Sequence, residues 1–306
     1  MTIASPSPVD RSRLRAWFIA IRPPTLPAAV APVLVGLGVT LGRSEFRPLP
    51  AAAALAVALL LQVAANTAND VFDFRAGADT ADRLGPPRVA ALGLLSEREL
   101  VAGTALALGL AGLVGLYLAI VGGLPILVLG VLAIGSALAY TGGPWPYGYR
   151  GLGEVFVFAF FGPVAVVGTA YLQTGQPEPL ALAAAVPIGS LITAILVVNN
   201  LRDMSTDRHA GKLTLAVRFG ERWSVLEYGL LLAVSYGAPV ALVAAGWGPI
   251  SVLLPLASAP LAVRLVRIVR ARDDPRRLNP VLRGTARLSI VFAVLFAMGL
   301  ALGNPW

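Results

Sequence analysis

Long stretches of this chain carry no Asp, Glu, Lys or Arg, among them residues 48–69, 100–149, 155–177, 179–201, 228–263 and 288–306. A helix crosses a bilayer with about 20 mostly apolar residues, and every stretch is of that order or longer. Backbone N–H and C=O groups have no water to bond in hydrocarbon, so a spanning segment is a helix or part of a closed barrel. Barrel strands alternate apolar and polar side chains; these runs do not. The fold class is therefore all-α, a polytopic membrane protein. Composition agrees: 57% of residues are apolar and 13% charged, against about 45–50% and about 25% in soluble proteins. A soluble enzyme and a disordered chain are excluded. So are disulfides, thiol chemistry and cysteine-ligated metals, because there is no Cys.

The runs divide into nine candidate transmembrane helices at about 22–42, 50–73, 98–120, 124–141, 152–173, 180–201, 223–245, 248–267 and 286–303. The run 100–149 breaks at Gly122-Gly123 and Pro125, and the run 228–263 at Gly246-Trp247-Gly248-Pro249. Residues 1–20 read as a polar cytoplasmic N-terminal segment without a signal-peptide pattern, and residues 1–306 as one membrane domain. With the N-terminus cytoplasmic, 22 of the 24 cationic residues fall inside and only Arg43 and Arg47 outside. That asymmetry is the positive-inside pattern. It accounts for the net charge of +8 as an orientation signal and removes the case for a nucleic-acid partner. The long loops 74–97, 202–222 and 268–285 all lie inside, so loop-borne chemistry is expected to face the cytoplasm.

Two acidic clusters end the second and sixth spans: Asn66-x-x-x-Asp70-x-x-Asp73 and Asn199-x-x-x-Asp203-x-x-x-Asp207. Residues three and four apart share a helix face, so each cluster presents an Asn and two Asp residues together. The two spans run in the same direction, which places clusters 133 residues apart in sequence at one depth, the cytoplasmic edge. Ionisable groups at such depth are costly and usually functional. Converging carboxylates repel unless a cation joins them. Hard oxygen donors with no Cys and one His favour Mg²⁺ over zinc or copper. Magnesium takes one or two carboxylates and fills its shell with water and phosphate, so two facing clusters suit a diphosphate held between them. Helix capping and a proton or Na⁺ relay are the competing readings; capping leaves the repeated spacing unexplained.

Basic residues follow each cluster: Arg75, Arg83 and Arg88 after the first, Arg202, Arg208 and Lys212 at and after the second. Guanidinium and ammonium groups neutralise phosphate oxygens, and topology-setting charge is the equal alternative for any one of them. The Arg-rich segment 264–287 has no acidic helix face and reads as topology-setting charge.

These residues, with the strings NDVFDFRAGADTADRLGPPR (69–88), YTGGPWPYGYRGLGEVFVFAFFG (140–162), GTAYLQTG (168–175), NNLRDMSTDRHAGKLTLAVRFG (199–220) and RPPTLPAAVAPVLVG (22–36), are similar to the UbiA superfamily of intramembrane aromatic prenyltransferases. They look most like its MenA-like branch, the 1,4-dihydroxy-2-naphthoate polyprenyltransferases of menaquinone biosynthesis. The resemblance covers about residues 20–220; the last three spans match in hydropathy only. Many members carry a further Asp four residues after the position of Asp73; here Gly77 stands there, and Asp79 is the next acid. The resemblance implies nine helices around a central cavity, two Mg²⁺ ions on the two Asp motifs, and a polyprenyl diphosphate held by metal and basic residues. It implies transfer of the prenyl group to 1,4-dihydroxy-2-naphthoate with loss of carboxylate, in a multi-pass cell-membrane protein with membrane lipid around its cavity. A sibling enzyme acting on 4-hydroxybenzoate or homogentisate is the alternative.

On this reading Asp70, Asp73, Asp203 and Asp207 are catalytic, and with Asn66 and Asn199 are the metal-binding candidates. Tyr140 either stabilises an allyl cation and orients the acceptor or anchors the interface. Arg22 and Arg150 are acceptor-binding candidates with topology charge as the alternative. Glu154 is expected to pair with Arg150 four residues earlier, and His209 to be a loop residue. A cation-coupled transporter would use the same carboxylates, but transporters place broken helices at mid-membrane, whereas these motifs share one membrane face.

Overall fold

The structure is a computed structural model and describes residues 8–41, 46–77, 84–86 and 88–302. Among the described residues there are helices and loops but no strand. Arg83 and Asp79 lie outside the described residues.

Helix α1 (Pro8–Ile21) and α2 (Pro27–Thr40) meet at a 3-10 turn, Pro23–Thr25, and bend by 47°. The bend follows from Pro23, Pro24 and Pro27, which remove backbone donors and restrict the residues before them. The expected polar segment 1–20 is thus helical over much of its length. α3 (Pro48–Arg75) and α4 (Glu97–Ala139) pack side by side, with a buried Thr67–Thr104 hydroxyl bond of 2.8 Å between them. α4 starts on a capping box between Ser96 and Glu99. Its helix breaks at Gly123, whose φ of 70° admits no ordinary side chain.

α5 (Gly153–Ala159) and α6 (Ala165–Thr174) are joined through a π segment, Phe160–Val164, around Pro163. The bulge absorbs the missing donor without ending the span. α7 (Pro179–Arg202) is the innermost helix: 72% of its most apolar 18 residues are buried. Gly162 and Gly189 let the π segment and α7 touch backbone to backbone; a Cβ on Gly189 would sit 3.0 Å from Gly162 Cα. Short helices α8 (Met204–His209) and α9 (Leu215–Phe219) lead into α10 (Glu221–Ala244). A 3-10 helix, Ile250–Ser258, runs into α11 (Ala259–Ala271), and α12 (Leu278–Leu302) closes the bundle.

α12 begins eight residues before the expected 286. Arg283 and Arg287 end the apolar run, but both lie on an exposed face while Leu278, Val281, Thr285 and Ala286 are buried on the other. The main core joins α2, α6, α7, α10, α11 and α12, with Ile188, Leu191, Phe292 and Phe296 fully enclosed. Among the described residues, seven helices are long and apolar enough to cross a membrane, or eight with the bent α1–α2 pair as one span.

Candidate active site

The C-terminal end of α3 carries the first acidic cluster and the end of α7 carries Asn199 and Asp203; the chain breaks out of helix at Asp203, so Asp207 comes from α8 and not, as the spacing predicts, from the same helix face. Asp70 is 1% exposed and bound by the guanidinium groups of both Arg22 and Arg88. Arg88 also donates to Asp73 Oδ2 at 3.0 Å, and the Tyr149 hydroxyl donates to Asp73 Oδ1 at 2.8 Å. In the second cluster Arg202, 2% exposed, grips Asp203 through Nε at 2.8 Å and a second nitrogen at 2.6 Å. It also donates to Asn199 Oδ1 at 2.8 Å and Asn279 Oδ1 at 3.1 Å. Lys212 Nζ lies 3.8 Å from Asp207 Oδ1. Buried carboxylates survive only with such charge-assisted partners.

Local chain breaks deliver these groups. Arg22 adopts left-handed backbone, φ 54°, immediately before the prolines. Few residues other than Gly pay that cost unless their surroundings enforce it; here the turn aims the guanidinium at Asp70. The same turn leaves the Ile21 carbonyl without a helical partner. Asn66 Nδ2 donates to it at 2.9 Å and to Thr25 Oγ1 at 2.9 Å, so its amide nitrogen serves the broken helix. Asn199 faces Arg202 in the second cluster.

The clusters meet through the loop after α4. Tyr149, bonded to Asp73, has the Lys212 ammonium 5.2 Å from its ring centroid, and its carbonyl accepts from the Leu213 N–H at 2.9 Å. Asp73, Tyr149, Lys212 and Asp207 thereby form one chain of contacts. Tyr140, at the end of α4, sets its ring against Gly148 and Gly153, where a Cβ would sit 3.2 and 3.5 Å from it. Its ring meets Tyr147 edge-on at 5.4 Å, and Tyr147 stacks on Phe156 at 4.0 Å. Burial pushes the Tyr147 hydroxyl up to about 12, and it stays neutral on the Ser136 side chain and carbonyl.

Three basic candidates are placed elsewhere. Arg75 is exposed and bonds Glu97 through Nε at 3.0 Å. Arg208 is exposed. Arg150 is exposed and lies over Trp145 at 5.1 Å. Glu154 does not pair with Arg150: its Oε1 accepts from Asn200 Nδ2 at 2.8 Å in a buried setting. The helix that starts at Gly153 turns Glu154 toward α7, while the Arg150 side chain belongs to the preceding turn. Glu154 Oε2 and Asn200 Oδ1 have no hydrogen-bond partner among the described residues. His209, expected in a loop, instead ends helix α8, exposed and with Nδ1 2.7 Å from the Ser205 carbonyl oxygen one turn earlier.

Sequence reading missed Tyr149, Asn200 and Asn279. Tyr149 sits inside a string already noted, but a loop residue has no periodicity to mark it. Asn200 immediately follows Asn199 and faces a different neighbour, as consecutive helical residues do. Asn279 bridges Arg202 to the Leu84 carbonyl, at 2.9 Å, from a segment read as topology charge alone.

The carboxylate set has the chemistry Mg²⁺ requires. Hard oxygens come in two pairs, and among the described residues no His, Cys, Asp or Glu cage of three or more is present. An ion that completes its shell with water and phosphate needs no such cage.

Residues 29–291 match the UbiA prenyltransferase family. The chain is 41% identical over 289 residues to the 1,4-dihydroxy-2-naphthoate octaprenyltransferase of Mycobacterium tuberculosis, covering 94% of this chain and 97% of that one. It is 38% identical to the Escherichia coli enzyme of the same name, covering 96% and 97%. Among solved structures, a UbiA homolog from Aeropyrum pernix K1 superposes with a TM-score of 0.68 at 18% identity, covering 87% of this chain and 94% of that one. A UbiA homolog from Archaeoglobus fulgidus bound to DMAPP and Mg²⁺ superposes at 0.62 and 17% identity, covering 94% and 99%.

Proposed function

The chain belongs to the UbiA prenyltransferase family, and on that premise we propose that it transfers a polyprenyl group from an allylic polyprenyl diphosphate to 1,4-dihydroxy-2-naphthoate, giving demethylmenaquinol for menaquinone biosynthesis. The observation that carries this reading is 41% identity to a naphthoate octaprenyltransferase across nearly the whole of both chains. The meeting of the two acid clusters through Tyr149 and Lys212 supports it.

In the reaction the allylic C–O bond breaks and its electron pair leaves with the diphosphate. A ring carbon of the acceptor forms the new C–C bond. The carboxylate departs as CO₂, and the electron pair of that bond restores the aromatic ring. Asp70 and Asp73 would hold one Mg²⁺ and Asp203 and Asp207 a second, with Asn66 and Asn199 beside them; bound there, the ions supply charge neutralisation for the leaving diphosphate. Arg22, Arg88, Arg202 and Lys212 already stand against these carboxylates and are the donors for phosphate oxygens. Arg75 and Arg208 supply positive charge nearer the surface, and Arg83 is a further diphosphate-binding candidate. The aromatic group of Tyr140, Tyr147 and Phe156 excludes water and presents a ring face to the allylic cation.

The same reading counts α4 as two crossings. Forty-three residues at about 1.5 Å each reach about 65 Å, twice the hydrocarbon thickness, and the Gly123 break divides them. One membrane domain of nine spans follows, with the N-terminus and the site at the cytoplasmic face of the cell membrane. The test is an assay of purified protein with labelled polyprenyl diphosphate, naphthoate and Mg²⁺. Product is expected from naphthoate and not from 4-hydroxybenzoate or homogentisate; the reverse would move the chain to a sibling branch. Unchanged turnover in Asp70→Ala and Asp203→Ala would sink the metal assignment.

A further inference from the structure

The prenyl-transfer reading leaves the arginines of α11 without a task. The helix before it, Ile250–Ser258, is 3-10 over nine residues with Pro255 inside. A 3-10 helix rises about 2.0 Å per residue against about 1.5 Å for an α-helix. The uncharged residues 250–263 therefore extend about 25 Å, close to the hydrocarbon thickness of about 30 Å. Trp247 lies exposed just before this stretch, as an interfacial aromatic does. At its other end Arg264 emerges at head-group level, and α11 continues there.

α11 buries Ala262, Leu265 and Val269 and leaves Arg264, Arg267 and Arg270 exposed, one every three residues. None of the three makes an ion pair among the described residues, whereas the next arginine, Arg272, is held by Glu221 at 2.9 Å. The ladder stands on the face of the acid clusters, because the adjoining α12 brings Asn279 to Arg202. Its neighbours toward mid-membrane are exposed apolar side chains, Val263 and Leu256 among them. A ligand here meets phosphate-binding guanidinium groups at one level and acyl-packing surface below.

We propose that Arg264, Arg267 and Arg270 form a binding site for the phosphate of anionic phospholipids, outside the catalytic centre. The exposed apolar surface beside the ladder favours a phosphate carried on acyl chains over free diphosphate. The full-length protein in detergent is titrated with phosphatidylglycerol or phosphatidylcholine and read by native mass spectrometry. Phosphatidylglycerol is expected to bind at least tenfold tighter than phosphatidylcholine. The combined Arg264→Gln, Arg267→Gln and Arg270→Gln variant is expected to lose that preference. Equal lipid preference in wild type and variant would overturn the site. A combined lysine variant keeps the charge without the bidentate fork and is expected to bind phosphatidylglycerol at least threefold more weakly; unchanged affinity would also overturn it. Displacement of the lipid by millimolar inorganic diphosphate would reassign the ladder to free diphosphate.

Discussion

The Tyr149 hydroxyl donates to Asp73 at 2.8 Å, and through the Tyr149 ring the first acid cluster reaches Lys212 of the second. Tyr149→Phe removes the donor and keeps the ring. Leaving a buried acceptor short of a donor costs about 1–3 kcal/mol. Turnover is expected to fall roughly tenfold, the equivalent of about 1.4 kcal/mol, with the melting temperature lowered by a few degrees. Tyr149→Ala, which removes the ring as well, is expected to lose more activity than Tyr149→Phe. Equal turnover in wild type and Tyr149→Phe would show that the link between the clusters is unused.

Arg22 combines two opposed contributions. Its left-handed backbone, φ 54°, is strained, while its guanidinium binds Asp70. Arg22→Gly and Arg22→Ala both delete the ion pair, but only glycine relieves the backbone. The glycine variant is expected to be more stable than the alanine variant by about 1 kcal/mol, measured by thermal or denaturant unfolding in detergent. Both are expected to lose at least tenfold in polyprenyl diphosphate turnover. Alanine equal to glycine in stability would mean that the turn carries no strain.

The long apolar helices and both acid clusters are legible because bilayer thickness and the helical period impose patterns on a linear sequence, although seven or eight of the described helices, not nine, are long and apolar enough to cross a membrane. The break at Gly123 was visible for the same reason: Gly and Pro have fixed backbone consequences. What the pattern hid was the pairing. Arg202 and Arg88 look alike as phosphate donors, yet each is already engaged by a carboxylate of the site, and Arg75 is held by Glu97 away from it. Glu154 was matched to Arg150 by helical spacing, but the helix begins only at Gly153, so the spacing did not apply. Tyr149 and Asn279 work through contacts distant in sequence, for which a single chain carries no local signal.

Glu154 and Asn200 share one hydrogen bond and keep one oxygen each without a partner among the described residues. Glu154→Gln adds an N–H₂ group that can donate to Asn200 Oδ1 while its own oxygen still accepts from Asn200 Nδ2. The variant is expected to be as stable as wild type or more so. Glu154→Leu strands Asn200 and is expected to cost about 1–3 kcal/mol. Turnover of Glu154→Gln separates packing from charge. Glu154 follows Gly153, which stands against the Tyr140 hydroxyl, so a stable Gln variant with activity lowered several-fold is the expected result. Full activity would confine Glu154 to packing.

Gly85 lies against Arg202 so closely that a Cβ there would sit 2.7 Å from one of its terminal nitrogens. In most sites the tip of an arginine moves aside at little cost. Here Arg202 is 2% exposed and tied to Asp203, Asn199 and Asn279, so the tip has no free direction. Gly85→Ala is therefore expected to loosen the grip on Asp203 and weaken the charge pairing of the second cluster. Removing one partner of a buried ion pair outright costs about 3–5 kcal/mol; a displacement should cost less, about 1–2 kcal/mol on that scale. Asn279→Ala frees one side of the guanidinium, so the double variant Gly85→Ala with Asn279→Ala is expected to be less impaired than the sum of the singles. Unfolding and turnover of the four proteins form the cycle that measures this. Strict additivity would place the effect of Gly85 somewhere other than Arg202.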